Sequence, residues 1–460
     1  MTQITISPID GSEVVRKTYT SPATIQQILS NAQQAQALWK TVPVAQRAQM
    51  VSAGVDAFVA QKSEIALELT KQMGRPIRYT PSEVGGFEAR ARHMIQIAED
   101  SLKDVLPHQP IEKFTRFIRR SPVGVVLVIA PWNYPLLTAV NAIVPALMAG
   151  NAVVLKHSAQ TPLAGDRIVE TLSAHLPTNL LQVVYTDHAQ TQKMIQAPEV
   201  NFVCFTGSVA GGVAVEQAAA GRFIGVGLEL GGNDPGYVHA DADLDYAVDS
   251  LVDGAFFNSG QSCCGIQRIY VHQSLYQGFV EKAVALTNTY VLGNPLEQNV
   301  TLGPVVRKKA ADEIRAVIQE ATSKGAKALI DRSRFSMDDG NGAYVAPQIL
   351  VNVDHSMLVM NEECFGPVCG IMPVSGDEEA LRLMNDSKYG LSAAIYTKDE
   401  SKALELGDQI QTGTVFMNRC DYLDPALAWT GVKNTGRGAT LSSLGYEHLT
   451  QPKSFHLKNI

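Results

Sequence analysis

Between residues 123 and 231, short β-rich apolar runs alternate with helix-like stretches: VGVVLVIA, NAVVLK, LLQVVY, NFVCF and IGVGLEL. This alternation constrains the fold more than any other feature of the chain. Strand, helix and strand repeated in this way imply a parallel sheet with helices packed on both faces. A second series follows residue 265, as QRIYVH, a long helix, KALID, PVCGIMPV, SAAIYT and GTVFMN. Two parallel α/β sheets are therefore expected rather than one. The first hundred residues read differently. IQQILSNAQQAQALWK and RAQMVSAGVDAFVAQKSEIALELTKQMG place apolar residues at helical spacing, and Gly74 and Pro76 supply a stop. Phe114 to Arg120 is short, alternating and basic, which predicts an exposed strand or hairpin arm.

A chain of 460 residues with 45% hydrophobic content is long enough for two or three domains with sizeable cores. No internal repeat or low-complexity linker separates them, so boundaries fall in short loops. The formal charge of −7 offers no basic face to nucleic acid or to an anionic membrane. The N-terminus lacks the apolar core of a signal peptide, and VGVVLVIA is too short to span a bilayer. Six cysteines are too sparse for a disulfide framework, so a reducing, cytoplasmic setting is expected, with no metal site.

Four segments carry candidate chemistry. In FFNSGQSCCGIQRIYV, Cys263 follows Gly260 among small and polar residues, at the expected start or end of a helix whose N-terminus would lower its thiol pKa. Taken alone, Cys263 and Cys264 also read as ordinary buried thiols. In LELGGND, Glu229 closes a buried strand, where a desolvated carboxylate becomes a useful general base. A helix-capping or surface role is the alternative. In PWNYP, Pro131 and Pro135 fix the loop around Asn133, whose amide suits an oxyanion hole or simply a turn. FTGSVAGG, with Gly207 and Gly212, opens a helix after NFVCF and offers backbone N–H groups to a phosphate. Lys156, ending NAVVLK, is within reach of a ribose or phosphate.

Taken together, PWNYP, LK…TP, FTGS, LELGG, GQSC, EECFGPV and GVKNTGRG resemble the aldehyde dehydrogenase superfamily in order and spacing, over essentially the whole chain. The resemblance implies that Cys263 is the nucleophile, that Glu229 activates water for thioester hydrolysis, and that Asn133 with the Cys263 N–H forms the oxyanion hole. It implies NAD or NADP as cofactor, with Lys156 at the adenosine ribose, Ser208 at the pyrophosphate and Glu363 at the nicotinamide ribose. Trp132, Thr206, Gly207, Gly212, Leu230 and Phe365 would complete that cleft. The implied architecture is a Rossmann-like cofactor domain (1–103 and 123–231), an α/β catalytic domain (232–445) and a β bridging element (104–122 and 446–460). Such a bridging element joins a neighbour's sheet, so a homodimer or homotetramer is implied.

Departures from the family pattern shape finer expectations. KHSAQTP places Ala159 where relatives often carry a ribose-binding Glu, and His157 where they carry Pro. Without that carboxylate NADP is expected to be accepted, with His157 near its 2′-phosphate. Succinate semialdehyde enzymes place Arg where this chain has Phe257 and Asn141. With Tyr134, Leu137, Ser262 and Cys264, these residues suggest a pocket for an uncharged aliphatic or aromatic aldehyde. Arg419 in MNRCDYLDP is the suspect if succinate semialdehyde is the substrate instead. Thr440 stands where many relatives have Glu in the motif GxGRE. A CoA-acylating enzyme, for which the base Glu229 would be superfluous, a non-catalytic homologue and, from the residues alone, a cysteine acyltransferase are the competing readings.

Overall fold

The structure, a computed structural model, describes residues 1–460 and has a mixed α/β fold built on two parallel sheets. In the first sheet, Val125–Ile129, Ala152–Lys156, Leu181–Val183, Val200–Thr206 and Gly225–Glu229 all run parallel. Gly436–Arg437 joins it antiparallel beside Gly225–Glu229. From Val125–Ile129 the chain builds outward first on one side, through Ala152–Lys156, and then on the other, through Val200–Thr206. The reversal opens a crevice at the carboxyl ends of these strands, where α/β sheets bind ligands. The loops carrying Asn133, His157 and Ser208 all leave from that edge.

The second sheet runs parallel through Gln348–Val351, Val368–Val374, Ile266–His272, Asp234–Val238, Ser392–Tyr396 and Thr414–Met417. Lys327–Ala328 adds a short antiparallel edge. Alternate residues along these strands enter separate cores: Ile269, Ile349 and Ala394 on one face, and Tyr270, Leu350 and Ala393 on the other. That period of two is the signature of a sheet covered on both sides. The predicted arm is also present. Phe114–Pro122 pairs antiparallel with Thr450–Lys458 along its full length, and Phe117 stacks on Phe455 at 4.6 Å. No helix is long and apolar enough to cross a membrane.

Several elements differ from the sequence reading. Residues expected to be helical begin with a hairpin, Thr2–Ile6 against Glu13–Thr18. Its alternation is inverted, because Gln3 and Thr5 are buried while Ile4 and Ile6 face solvent. The long second helix breaks into Val44–Val59 and Lys62–Met73, and Gly74 ends it in the left-handed conformation (φ 83°). Helix Thr80–Ser101 lacked a recognisable start, since Tyr79 supplies no capping oxygen. KALID shrinks to Lys327–Ala328. Asp234–Val238, with an internal Pro and Gly, and the short Gln348–Val351 are strands that propensity does not reveal.

The N-terminal helices and the first sheet share one core. Phe58 and Phe87, both fully buried, meet at a ring separation of 4.2 Å and lock helix Val44–Val59 to helix Thr80–Ser101. Phe58→Ala is expected to cost about 3–5 kcal/mol of stability through the cavity it leaves. Urea unfolding measures this loss, and a cost under about 1 kcal/mol would mean that the site collapses freely.

Candidate active site

Helix Leu244–Phe256 ends in a tight 3-10 turn, Phe257–Gly260, followed by the loop that carries Cys263. Asn258, Ser259 and Gly260 are successively left-handed (φ 55°, 53° and 70°). The two non-glycine residues, Asn258 and Ser259, store backbone strain that the surroundings must enforce. They do so with several bonds. Ser259 Oγ donates to the Gly303 carbonyl at 2.8 Å, and Gln261 Oε1 accepts from Val306 N–H at 2.7 Å. A Cβ on Gly260 would lie 2.0 Å from the Gly366 carbonyl oxygen. Cys263 is thus not at a helix terminus as expected, but in a braced turn leading into Ile266–His272.

The loop after Val125–Ile129 brings Asn133 against this turn. Asn133 Nδ2 donates to the Gln261 carbonyl at a long 3.3 Å, leaving its second hydrogen free. Arg75 fixes the loop from behind, donating to the Asn133 carbonyl and, at 3.0 Å, to Asn258 Oδ1. Arg75 is itself paired with Glu83 in a salt bridge whose side chains are 2% and 1% exposed. The second Glu83 oxygen accepts the Leu136 N–H at 2.9 Å, capping helix Pro135–Ala149. Neither Arg75 nor Glu83 was singled out from the sequence, where Arg75 sits unremarked between the stop signals Gly74 and Pro76.

Glu229 reaches the same space from the end of its strand. Thr440 Oγ1 donates to Oε1 at 2.5 Å and Thr206 Oγ1 donates to Oε2 at 3.1 Å. Burial raises its pKa from the ordinary carboxylate value, and the two hydroxyls and Arg90 act against that rise. Thr206, expected at the cofactor, also bonds Glu229, and Thr440 contacts the carboxylate directly.

Cys263 and Glu229 line one cavity of about 450 Å³ together with Tyr134, Leu137, Asn141, Phe257, Ser262, Cys264 and Trp429. All the expected substrate-pocket residues are here except Arg419, which is exposed and stacks on the Tyr422 ring at 3.3 Å. The cavity's cations are instead Arg75 and Arg90. Its acidic wall, also missed, contains Asp421, which accepts from Ser262 Oγ at 2.8 Å and Cys264 Sγ at 2.9 Å. Burial pushes Asp421 up to about 6. Glu83 and Arg90 lie two turns apart on the buried face of helix Thr80–Ser101. Charged residues within an apolar helical stripe are the signal that would have found them.

On the other side of Glu229 lies the crevice of the first sheet. Trp132 and Phe365 meet edge-on across it at 5.6 Å. Burial holds the Lys156 amine below its usual pKa. Glu363 accepts the Gly232 N–H at 3.0 Å and is raised to about 7, mainly by burial. Ser208 caps helix Val209–Ala219 by accepting from Gly211 N–H. A Cβ on Gly207 would come within 2.7 Å of the Phe205 ring, so backbone can approach closely there. A half-buried amine, a helix N-terminus and an open aromatic rim suit a dinucleotide's ribose, pyrophosphate and nicotinamide.

Three expected residues of this cleft lie deeper in it. Gly212 N–H is spent on the Ser208 carbonyl at 2.9 Å, so this glycine serves close packing against Leu230. Leu230 is buried beneath the cleft, and its N–H donates to the Thr435 carbonyl. His157 is buried rather than poised beside a phosphate. Its Nε2–H donates to the Pro135 carbonyl at 3.1 Å and its Nδ1 accepts from Thr161 Oγ1 at 3.3 Å. Ala159 is exposed and neutral, its carbonyl held by Thr5 Oγ1 at 2.8 Å.

A family model described as "Aldehyde dehydrogenase family" matches residues 2–455. The phenylacetaldehyde dehydrogenase of Pseudomonas fluorescens is 34% identical over 425 residues, covering 90% of this chain and 84% of that protein. The NAD(P)+ succinate semialdehyde dehydrogenase of Escherichia coli is 31% identical over 445 residues, covering 96% and 95%. The crystal structure of an aldehyde dehydrogenase from Brucella melitensis biovar abortus superposes with a TM-score of 0.96 at 29% identity, covering 100% and 94%.

Burial holds the His157 imidazole down at about 4 against an ordinary 6.5. Between those values the unfolded chain binds a proton that the native state does not, so stability falls as pH drops from 6.5 towards 4. The loss is up to about 3 kcal/mol. His157→Gln is expected to flatten this part of the pH–stability curve, read from denaturation midpoints at several pH values. An unchanged curve would mean that the native ring titrates freely.

Proposed function

The chain belongs to the aldehyde dehydrogenase family, and on that footing we propose that it oxidises an aldehyde to a carboxylic acid with NAD(P)+, using Cys263 as nucleophile. The observation that carries this reading is the convergence of Cys263 and Glu229 on one cavity, with the Asn133 amide bonded inside the Cys263 loop. The Cys263 thiolate adds to the aldehyde carbon, and the oxyanion of the resulting thiohemiacetal falls to Asn133 Nδ2 and the Cys263 N–H. Loss of hydride from the thiohemiacetal carbon, for which a bound nicotinamide would be the acceptor, leaves a thioester on Cys263. Glu229, raised by burial, takes a proton from water, which hydrolyses the thioester and restores the thiolate.

Lys156, Ser208 and Glu363 would hold the cofactor, and Trp132 with Phe365 would flank it. The neutral, exposed Ala159 leaves a 2′-phosphate unopposed, which favours acceptance of NADP alongside NAD. His157, buried and neutral, contributes nothing to that choice. The same reading takes residues 1–103 and 123–231 as the cofactor domain and 232–445 as the catalytic domain. It takes the arm Phe114–Pro122 with Thr450–Lys458 as the bridging element of a homo-oligomer.

Two substrate classes compete for the cavity. Leu137, Phe257 and Trp429 favour an uncharged aliphatic or aromatic aldehyde. Arg90, a cation that neither position 141 nor position 257 announces, favours succinate semialdehyde.

Reduced-cofactor formation tests the chemistry. Cys263→Ala is expected to abolish turnover, and Asn133→Ala to lower kcat roughly a hundred- to thousandfold. Glu229→Gln is expected to give one burst of reduced cofactor and then stall. In the wild type, steady-state rate should fall with pH as Glu229 protonates, because only the carboxylate accepts a proton. Steady turnover by Cys263→Ala would overturn the mechanism. Separately, Ala159→Glu should raise discrimination against NADP about tenfold or more through repulsion of the 2′-phosphate; unchanged selectivity would place the ribose elsewhere.

A further inference from the structure

Of the two guanidinium groups lining the cavity, only one has a counter-ion. Arg75 is paired with Glu83. Arg90 is 8% exposed, and no carboxylate lies within salt-bridge distance of it. The carboxylates whose charge it feels most among its neighbours, Glu229 and Glu83, cannot serve as its partner. Both oxygens of Glu229 are held by Thr206 and Thr440, and both of Glu83 by Arg75 and Leu136 N–H. Asp421, on the acidic wall, is already bonded to Ser262 and Cys264.

The Arg90 head is nevertheless fixed in place. Its Nη1 donates to the Leu137 carbonyl at 3.0 Å and to Asn141 Oδ1 at 3.3 Å. Nε and Nη2 make no bond to the protein. That pair is one edge of the planar guanidinium fork, the geometry that receives a carboxylate through two parallel hydrogen bonds. A buried, uncompensated charge costs stability in the free protein. Its natural complement is an anion that arrives with the ligand.

We propose that Arg90 is the receptor for a carboxylate carried by the substrate, which makes the preferred aldehyde a short ω-oxo acid rather than an uncharged aldehyde. The proposal rests on the aldehyde-oxidising reading above. It requires a short chain, because Arg90 and Cys263 line the same cavity and the aldehyde carbon must reach the thiolate while the acid group meets the fork. Arg90 recognises the substrate, and Cys263 and Glu229 perform the chemistry on its other end.

The test compares succinate semialdehyde with its methyl ester, which keeps the aldehyde and removes the charge, in wild type, Arg90→Gln and Arg90→Lys. Wild type is expected to favour the acid at least about tenfold in kcat/KM. Arg90→Gln should cut kcat/KM for the acid about a hundredfold, chiefly through KM, and change the ester at least about tenfold less, that smaller change reporting the loss of Arg90's charge near Glu229. Arg90→Lys, which keeps the charge without the fork, should recover part of the loss. Succinate should raise the Tm of the wild type and leave that of Arg90→Gln unmoved. Because the glutamine removes an unpaired charge, the variant's own Tm should be no lower than that of the wild type.

Equal losses on both substrates would overturn the proposal and make Arg90 a support for Cys263 and Glu229. A wild type indifferent to the charge, or a succinate shift that survives in Arg90→Gln, would overturn it too. If neither substrate reduces the cofactor, the aldehyde-oxidising reading fails, and the succinate shift still decides whether Arg90 binds carboxylates.

Discussion

The buried pair of Arg75 and Glu83 is the interaction on which the site's geometry depends. Two charges sealed from water are stable only when every remaining donor and acceptor is used, and here the surplus bonds build the site. Arg75 spends its other donors on the Asn133 carbonyl and the Asn258 side chain, so one cation ties the Asn133 loop to the strained turn before Cys263. Glu83 spends its second oxygen on the first turn of helix Pro135–Ala149. The Tyr134 ring lies 4.4 Å beneath the same guanidinium. Loss of either partner would strand the other charge in the interior, at a cost of about 3–5 kcal/mol, and would release both loops together. The relative placement of the Asn133 loop and the Cys263 turn is therefore set by an ion pair that bonds to neither Cys263 nor Glu229.

Around that anchor, carboxyl groups with different tasks are tuned by their surroundings. Glu229 is raised by burial while two hydroxyl donors oppose that rise. Glu363, with one backbone donor and similar burial, rises to about 7. Asp421 accepts from a hydroxyl and a thiol and settles at about 6. Desolvation pushes all three upward, and hydrogen-bond donors oppose it in each, with neighbouring charges adding to the balance at Glu229 and Asp421.

Much of this was legible in the sequence because it rests on local pattern. The strand runs and the Phe114 arm follow from periodicity and turn residues, while Cys263, Glu229, Asn133 and the expected pocket positions are picked out by the ordered motifs that carry the family resemblance. What escaped depends on contacts between distant segments. The N-terminal hairpin buries Gln3 and Thr5 and exposes Ile4 and Ile6, against the rule by which strands are read. His157, expected beside a 2′-phosphate, is instead enclosed by the fold with Pro135 and Thr161. Arg419 and Arg90 exchanged places for the same reason. The arginine near a plausible loop stacks on Tyr422, while the one inside a helix reaches the cavity. A side chain's distance from the chemistry is a property of helix rotation and packing, which linear spacing states only for residues on one element.

The order in which the chain is made gives the strand Gly436–Arg437 and the terminal strand Thr450–Lys458 a further meaning. The first closes the sheet that ends in Glu229, Thr440 follows directly to hold that carboxylate, and the second completes the arm begun at Phe114. All three emerge after both sheets' other strands have been synthesised. A nascent chain thus presents an open sheet edge and an unpaired arm strand, both templates for mispairing. It also carries Glu229 without one of its two hydroxyl partners. Residues 436–458 pair both of these edges and give Glu229 its second hydroxyl partner, so late segments of the chain complete the first sheet, the arm and the surroundings of that carboxylate.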